Sequence, residues 1–280
     1  MKVVVTGSTG FVGGLVAQKL AAEGVPLALL VRSANRAPIL PDAQVFETAG
    51  YSDPEANVAA LNGAKVAFMV SGAESEDRLR QHKQFVDAAA QAGVEHLVYL
   101  SFQGASPDAT FTLARTHWET EEYIKASGMK FTFLRDSFYI DFLANLAGED
   151  GVIRGPAGEG HVAAVTRADA AEVATRVLLN PGAHENQTYT LTGPEALSMN
   201  EIARIVGEET GQSISFYNES IDEAYASRKA WDAPDWQYDA WVSTYTAIAQ
   251  GELAEVTSSV LDITGRAPTS LREFLKSTPR

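Results

Sequence analysis

Three glycines, Gly7, Gly10 and Gly13, interrupt an apolar start in the segment Val3-Val-Val-Thr-Gly-Ser-Thr-Gly-Phe-Val-Gly13. A strand that breaks into such a turn and opens a helix converges backbone N–H groups and the positive end of a helix dipole. That is where a pyrophosphate sits. Gly7 can turn the chain with positive φ, Gly10 can let phosphates approach the backbone, and Gly13 with Gly14 lets the helix lie against the sheet. The spacing is GxxGxxG, not the GxGxxG of ordinary dinucleotide dehydrogenases. The flanks fit: residues 3–5 form a strand, and Val12, Leu15, Val16 and Leu20 give a helical apolar stripe. The expected ligand is a dinucleotide, contacted by Gly7, Thr9, Gly10, Phe11 and Val12.

The residue after the second strand separates NAD from NADP. An acid there accepts the ribose 2′-OH, whereas a guanidinium grips a 2′-phosphate. Here it is Arg32, with Ser33 and Arg36 nearby, so NADP(H) is the favoured cofactor and NAD(H) the alternative. Ligands in open α/β sheets bind at the carboxyl ends of strands. That rule nominates Ser71, Gly72, Ser101 and Phe138 for the cofactor, and Phe102, Gln103 and Tyr139 for a substrate, the aromatics by sandwiching a ring. The five histidines (His82, His96, His117, His161 and His184) lack metal-ligand spacing, and no metal is expected. Glu119, Glu121 and Glu122 read as a solvated helix face, with a structural role open for Glu121.

These residues need a scaffold. The chain has 280 residues, 45% hydrophobic and 21% charged, an ordinary globular composition. A net charge of −14 repels nucleic acid and anionic membranes. There is no cysteine, which excludes disulfides, thiolate metal sites and cysteine nucleophiles. No apolar stretch reaches membrane-span length and no signal peptide precedes the first strand, so the expectation is a cytoplasmic protein, monomer or homodimer, acting on a small molecule. Strands are expected at 2–5, 27–31, 44–47, 66–70, 97–101 and 131–134, alternating with helices at 11–23, 55–61, 76–92 and 112–126. This is a Rossmann-type, doubly wound parallel α/β sheet. Residues 148–160 read as a hairpin or loop, 166–179 as a helix and 189–192 as a strand. Capping boxes open helices at Ser198/Glu201 and Ser270/Glu273. A dinucleotide-binding domain over 1–145, with 163–182 packing back on it, and a smaller C-terminal substrate-binding region over 146–280 follow. Trp231, Trp236 and Trp241 read mainly as packing for that region.

Several segments in this order resemble the NmrA-like branch of the atypical short-chain dehydrogenase/reductases. Within it the chain is most similar to the type 2 NAD(P)H:quinone oxidoreductases. The segments are Thr6–Gly13, Leu30-Val-Arg32, Val98-Tyr-Leu-Ser101, Thr116-His-Trp-Glu-Thr-Glu121, Phe131-Thr-Phe-Leu-Arg135, Val165-Thr-Arg-Ala-Asp169, Tyr189-Thr-Leu-Thr-Gly193 and Gly265-Arg-Ala-Pro-Thr-Ser-Leu-Arg-Glu-Phe-Leu275. The resemblance implies a Rossmann domain, a small C-terminal α/β region and a nicotinamide held in the cleft between them. Ordinary short-chain dehydrogenases, outside this atypical branch, carry a catalytic Tyr-x-x-x-Lys pair. The matching positions here are Leu113 and His117, so the pair is absent, and His117 is the candidate for binding the nicotinamide ribose or protonating an acceptor. The implied activity is hydride transfer from NADPH to a quinone or similar conjugated electrophile, with reduction of another acceptor, such as an azo dye or an activated alkene, as a separate possibility. The alternative is an NADP(H)-binding redox sensor without turnover. In relatives an acid after strand three approaches the adenine. Gly50 stands here, leaving Tyr51 or a backbone contact for that task.

Overall fold

The computed structural model describes residues 1–277. Its strands and helices, in chain order, are β1 (Val3–Thr6), α1 (Phe11–Ala22), β2 (Leu27–Val31), β3 (Ala43–Glu47), α2 (Pro54–Leu61), β4 (Val66–Val70), α3 (Arg78–Gln91), β5 (His96–Phe102), α4 (Thr112–Ala126), β6 (Lys130–Asp136), α5 (Ile140–Leu143), β7 (Val152–Gly155), β8 (His161–Val162), α6 (Arg167–Leu179), β9 (Gln187–Leu191), β10 (Leu197–Ser198), α7 (Met199–Thr210), β11 (Ser215–Asn218), α8 (Ile221–Arg228), α9 (Asp235–Ala249), α10 (Ser259–Thr264) and α11 (Leu271–Ser277).

Seven strands form one sheet in the order β3-β2-β1-β4-β5-β6-β9. The pairs β1·β2, β1·β4, β2·β3 and β4·β5 are parallel. This is the doubly wound Rossmann order with a seventh strand beyond β6, and it agrees with the fold expected from the alternating pattern. Every residue of β1, β2 and β5 is buried, as strands covered by helices on both faces require. β3 lies at the edge and is largely exposed. Tyr99, Phe68, Phe85, Phe133 and Leu97 are among the largest fully buried side chains.

The chain divides into two compact units, both discontinuous in sequence. The first comprises Met1–Phe102, Thr116–Arg135 and Ala168–Tyr189, and holds most of the sheet. The second comprises Gln103–Arg115, Asp136–Arg167 and the chain from Thr190 onward. In this second unit β7 pairs in parallel with β11, and β8 with β10 antiparallel. The hairpin reading of 148–160 is thus replaced: β7 finds its partner some sixty residues later in the chain. Gly151 is required there because a Cβ would lie 2.4 Å from the Ser213 carbonyl oxygen. Both capping boxes form, with the Ser198 hydroxyl accepting the Glu201 N–H and the Ser270 hydroxyl accepting that of Glu273. Trp241 packs edge-on to Trp231 and Tyr238 at 5.9 and 5.8 Å.

Candidate functional site

The glycine turn follows β1 directly. Gly7 has φ +64°, a left-handed conformation that glycine adopts without penalty. Gly13 cannot carry a side chain, because its Cβ would sit 2.4 Å from the Gly7 carbonyl oxygen and 2.7 Å from that of Thr6. α1 is thereby drawn onto the strand it follows. Its N-cap residue, Gly10, is extended and supplies no side-chain cap, and the N-terminus of an α-helix is where an anion is favoured. On the outer side a Cβ at Gly10 would meet only the Gly7 carbonyl, at 3.3 Å. Thr9, Gly10 and Phe11 are exposed, while Val12 is buried under the turn.

A closed ring of hydrogen bonds braces the turn from behind. The Val70 N–H donates to Thr6 Oγ1 at 2.9 Å, and Tyr51 Oη donates to the Val70 carbonyl at 2.5 Å. A phenol carries one proton, so the 2.6 Å Thr6–Tyr51 contact must be Thr6 O–H donating to Tyr51 Oη. The ring ties the ends of β1 and β4 to the segment after β3. Burial pushes the Tyr51 phenol well above its ordinary acidity range. Its ring lies 4.6 Å from Phe85. The hydroxyl is therefore committed inward, and the residue as a whole is half-buried. Arg32 is exposed beside Gly50, its Cδ 3.7 Å from where a Gly50 Cβ would stand, and among the described residues it makes no ion pair.

At the end of β4 the Gly72 N–H donates to His82 Nε2 at 2.8 Å. That fixes the tautomer: Nε2 accepts, so Nδ1–H donates to Thr120 Oγ1 at 3.0 Å, and Thr120 donates to the Thr116 carbonyl. Burial, with the nearby Arg78 cation, lowers the His82 pKa to about 3. Gly72 thus spends its amide on His82, while Ser71 is half-buried at the strand end.

His117 is 5% exposed, with both ring nitrogens engaged. Arg78 Nη2 lies 2.5 Å from Nε2, and Tyr99 Oη 2.9 Å from Nδ1. A guanidinium only donates, so Nε2 accepts and the imidazole proton is on Nδ1. Burial first, then Arg78, His82 and Arg135, hold its pKa well below the histidine range. The ring is a neutral link, with Phe102 6.0 Å away. Arg78 itself is 3% exposed, and its Nε has no partner among the described residues. The guanidinium of this buried cation donates a hydrogen bond to a neutral ring. Such a charge is costly without an anion. Nothing in the sequence pattern marks Arg78, which reads there as an ordinary residue opening α3.

Glu121 does not lie on a solvated face: it is fully buried. Arg135 Nε and Nη2 grip its two oxygens at 2.9 and 2.6 Å, and Ser101 Oγ donates to it at 2.6 Å. Helical period turns Glu121 inward while Glu119 and Glu122 pair with lysines outside. The Ser101 hydroxyl is consumed by this contact.

The remaining sequence candidates lie in the second unit. The Tyr139 hydroxyl donates to the Asp136 carboxylate, and its acidity is pushed far down by burial and that charge. Phe138 packs edge-on to Phe111 at 5.4 Å. Gln103 is buried, its Nε2 donating to the Glu255 carbonyl at 3.2 Å. Among the described residues no group of three or more His, Asp or Glu side chains has metal-site geometry, and no helix is long and apolar enough to cross a membrane.

The chain is 32% identical to the NAD(P)H azoreductase of Xenophilus azovorans over 279 residues, 98% of this chain and 97% of that protein. It is 31% identical to quinone oxidoreductase 2 of Escherichia coli, over 97% of this chain and 96% of that protein. The crystal structure of an Escherichia coli NADPH-dependent quinone oxidoreductase complexed with NADPH superposes with a TM-score of 0.89 at 30% identity, covering 99% of both chains. The NmrA-like family model matches residues 1–227, and together with these relatives over the whole length it places the chain in the NmrA-like family.

Proposed function

We propose that this protein is an NAD(P)H-dependent reductase of quinones or azo compounds. The observation that carries it is the glycine turn, where a Cβ at Gly13 would collide with backbone and the exposed Gly10 caps α1 with no side chain of its own. The donor set fits a dinucleotide: helix-terminal amides for the pyrophosphate and Arg32, without an ion pair among the described residues, for a 2′-phosphate. NADPH is therefore the preferred cofactor and NADH the second. The named activities of the azoreductase and quinone oxidoreductase relatives support the same reading.

When bound, a reduced nicotinamide supplies a hydride to an electrophilic acceptor. The chain's own residues bind, orient and set the field. Leu113 and His117 hold the places of the usual Tyr and Lys, and His117 keeps its one proton on a nitrogen turned to Tyr99. We assign it to positioning Arg78, not to donating a proton. Arg78 is the group that meets negative charge arriving with the hydride, since it is cationic, buried and pairs with no carboxylate among the described residues. Water protonates the reduced acceptor, because quinone reduction leaves a stabilised anion. Phe102, Gln103 and Tyr139 are proposed to line the acceptor's place, and Ser71, Gly72, Ser101 and Phe138 to shape the cofactor's through their backbone or packing.

A panel assay tests this. Purified protein with NADPH and a set of quinones and azo dyes should consume the reduced-nicotinamide absorbance. NADPH that binds yet is oxidised by none of them would replace the reductase with a sensor.

A further inference from the structure

In a parallel ladder the N–H of one residue reaches the carbonyl that precedes its lateral partner. The Gln103 N–H donates to the Asp136 carbonyl at 2.7 Å. Gln103 and Ser137 therefore take neighbouring positions just past the carboxyl ends of the adjacent strands β5 and β6. Gln103 is 3% exposed and Ser137 1%. Each carries a buried polar atom, Gln103 Oε1 and Ser137 Oγ, with no hydrogen-bond partner among the described residues. Buried polar atoms are nearly always paired, so two adjacent exceptions on a ligand-binding edge call for an explanation.

Their surroundings do not supply one. The Glu255 carbonyl takes the Gln103 Nε2 proton, which fixes the amide orientation and leaves Oε1 as a pure acceptor. The segment carrying Glu255 is itself held: Thr110 N–H donates to the Glu252 carboxylate at 3.1 Å, and Thr257 N–H donates to Thr192 Oγ1 at 3.0 Å. The Ser137 N–H is used by the Leu191 carbonyl, and Asp136 accepts from Tyr139. What remains is one acceptor beside one rotatable O–H.

We propose that Gln103 Oε1 and Ser137 Oγ together bind the amide-like edge of a ligand, Oε1 accepting its N–H and Oγ–H donating to its C=O. The inference rests on the reductase reading and sharpens it. Two ligands carry such an edge: the nicotinamide carboxamide, and an acceptor with an amino group beside its carbonyl. A plain quinone, which has only acceptors, leaves Oε1 unpaired, and sites built to bond an N–H or O–H reject analogues that lack it.

The test compares wild type, Ser137→Ala and Gln103→Leu with two isosteric pairs. One pair is aminonaphthoquinone and methylnaphthoquinone. The other is NADPH and its acetylpyridine analogue, in which a methyl replaces the carboxamide NH₂. Affinities are read by fluorescence titration, independently of turnover. In wild type the N–H-bearing member of one pair should bind about tenfold or more tightly than its isostere, and in both variants that ratio should fall towards one. The responding pair identifies the source of the edge. Ser137→Ala without ligand should also melt at a higher temperature, since it removes an unpaired hydroxyl and no partner. Ratios equal in wild type and both variants, or a lower melting temperature for Ser137→Ala, would overturn the inference. If NADPH and the quinones bind but no acceptor is reduced, the reductase reading fails alone, and the ratios still decide this one.

Discussion

At the scale of single residues, two cations separate binding from chemistry. Arg32 is exposed beside the glycine turn and has no ion pair among the described residues. Arg32→Glu should raise the Kd for NADPH by about tenfold to a hundredfold and leave NADH within a few-fold, because a charge-assisted bidentate contact is lost and a like charge introduced. An unchanged NADPH/NADH affinity ratio would remove Arg32 from the 2′-phosphate. Arg78 is the opposite case, buried and bonded to a neutral imidazole. Arg78→Gln keeps a donor for His117 Nε2 and deletes the charge. Turnover of quinones should drop about a hundredfold with the NADPH Kd within twofold, the pattern of a group acting on developing charge. Equal turnover in wild type and variant would leave Arg78 a structural residue. The place of Arg32, exposed directly after β2, was legible in the sequence because its distance from the glycine turn is fixed by a short βαβ unit. Arg78 and Glu121 were not, since a charge inside a helical segment carries no local mark of burial.

At the scale of elements, the β1–turn–α1 unit depends on one close approach. Gly13→Ala places a methyl 2.4 Å from a backbone oxygen, so α1 must move off the turn. The expected cost is about 1–3 kcal/mol of stability in urea unfolding, together with weaker NADPH binding as the helix-terminal amides shift. Full retention of both would mean that the approach of α1 to β1 does not define the site. The periodic elements of the Rossmann order were legible because apolar runs and helical stripes are local signals. The β7·β11 pairing was not: its partners are some sixty residues apart, and each strand alone is too short to show a pattern. Nor could spacing show the Thr6–Tyr51–Val70 ring, whose three members come from three separate segments.

At the scale of the whole molecule, buried neutral histidines set the acid limit. His82 titrates at about 3 and His117 well below the histidine range, both mainly through burial. In the unfolded chain both protonate near their ordinary value of 6.5. The unfolded state therefore binds more protons below that pH, and stability present above it is lost as pH falls. Between pH 6.5 and 5 the loss should be about 2 kcal/mol per histidine, read as a falling urea midpoint. A midpoint flat over that window would place these rings in water. For the same reason His117 should contribute no titration to the rate between pH 6 and 8. The central claim is that the glycine turn seats a reduced dinucleotide for transfer, and a single-turnover experiment reads it directly. With protein in excess over NADPH, mixing with a quinone should bleach the bound reduced-nicotinamide absorbance in one phase, much faster than the protein-free reaction. Bound NADPH that decays no faster than it does in buffer, whatever the acceptor, would contradict the account.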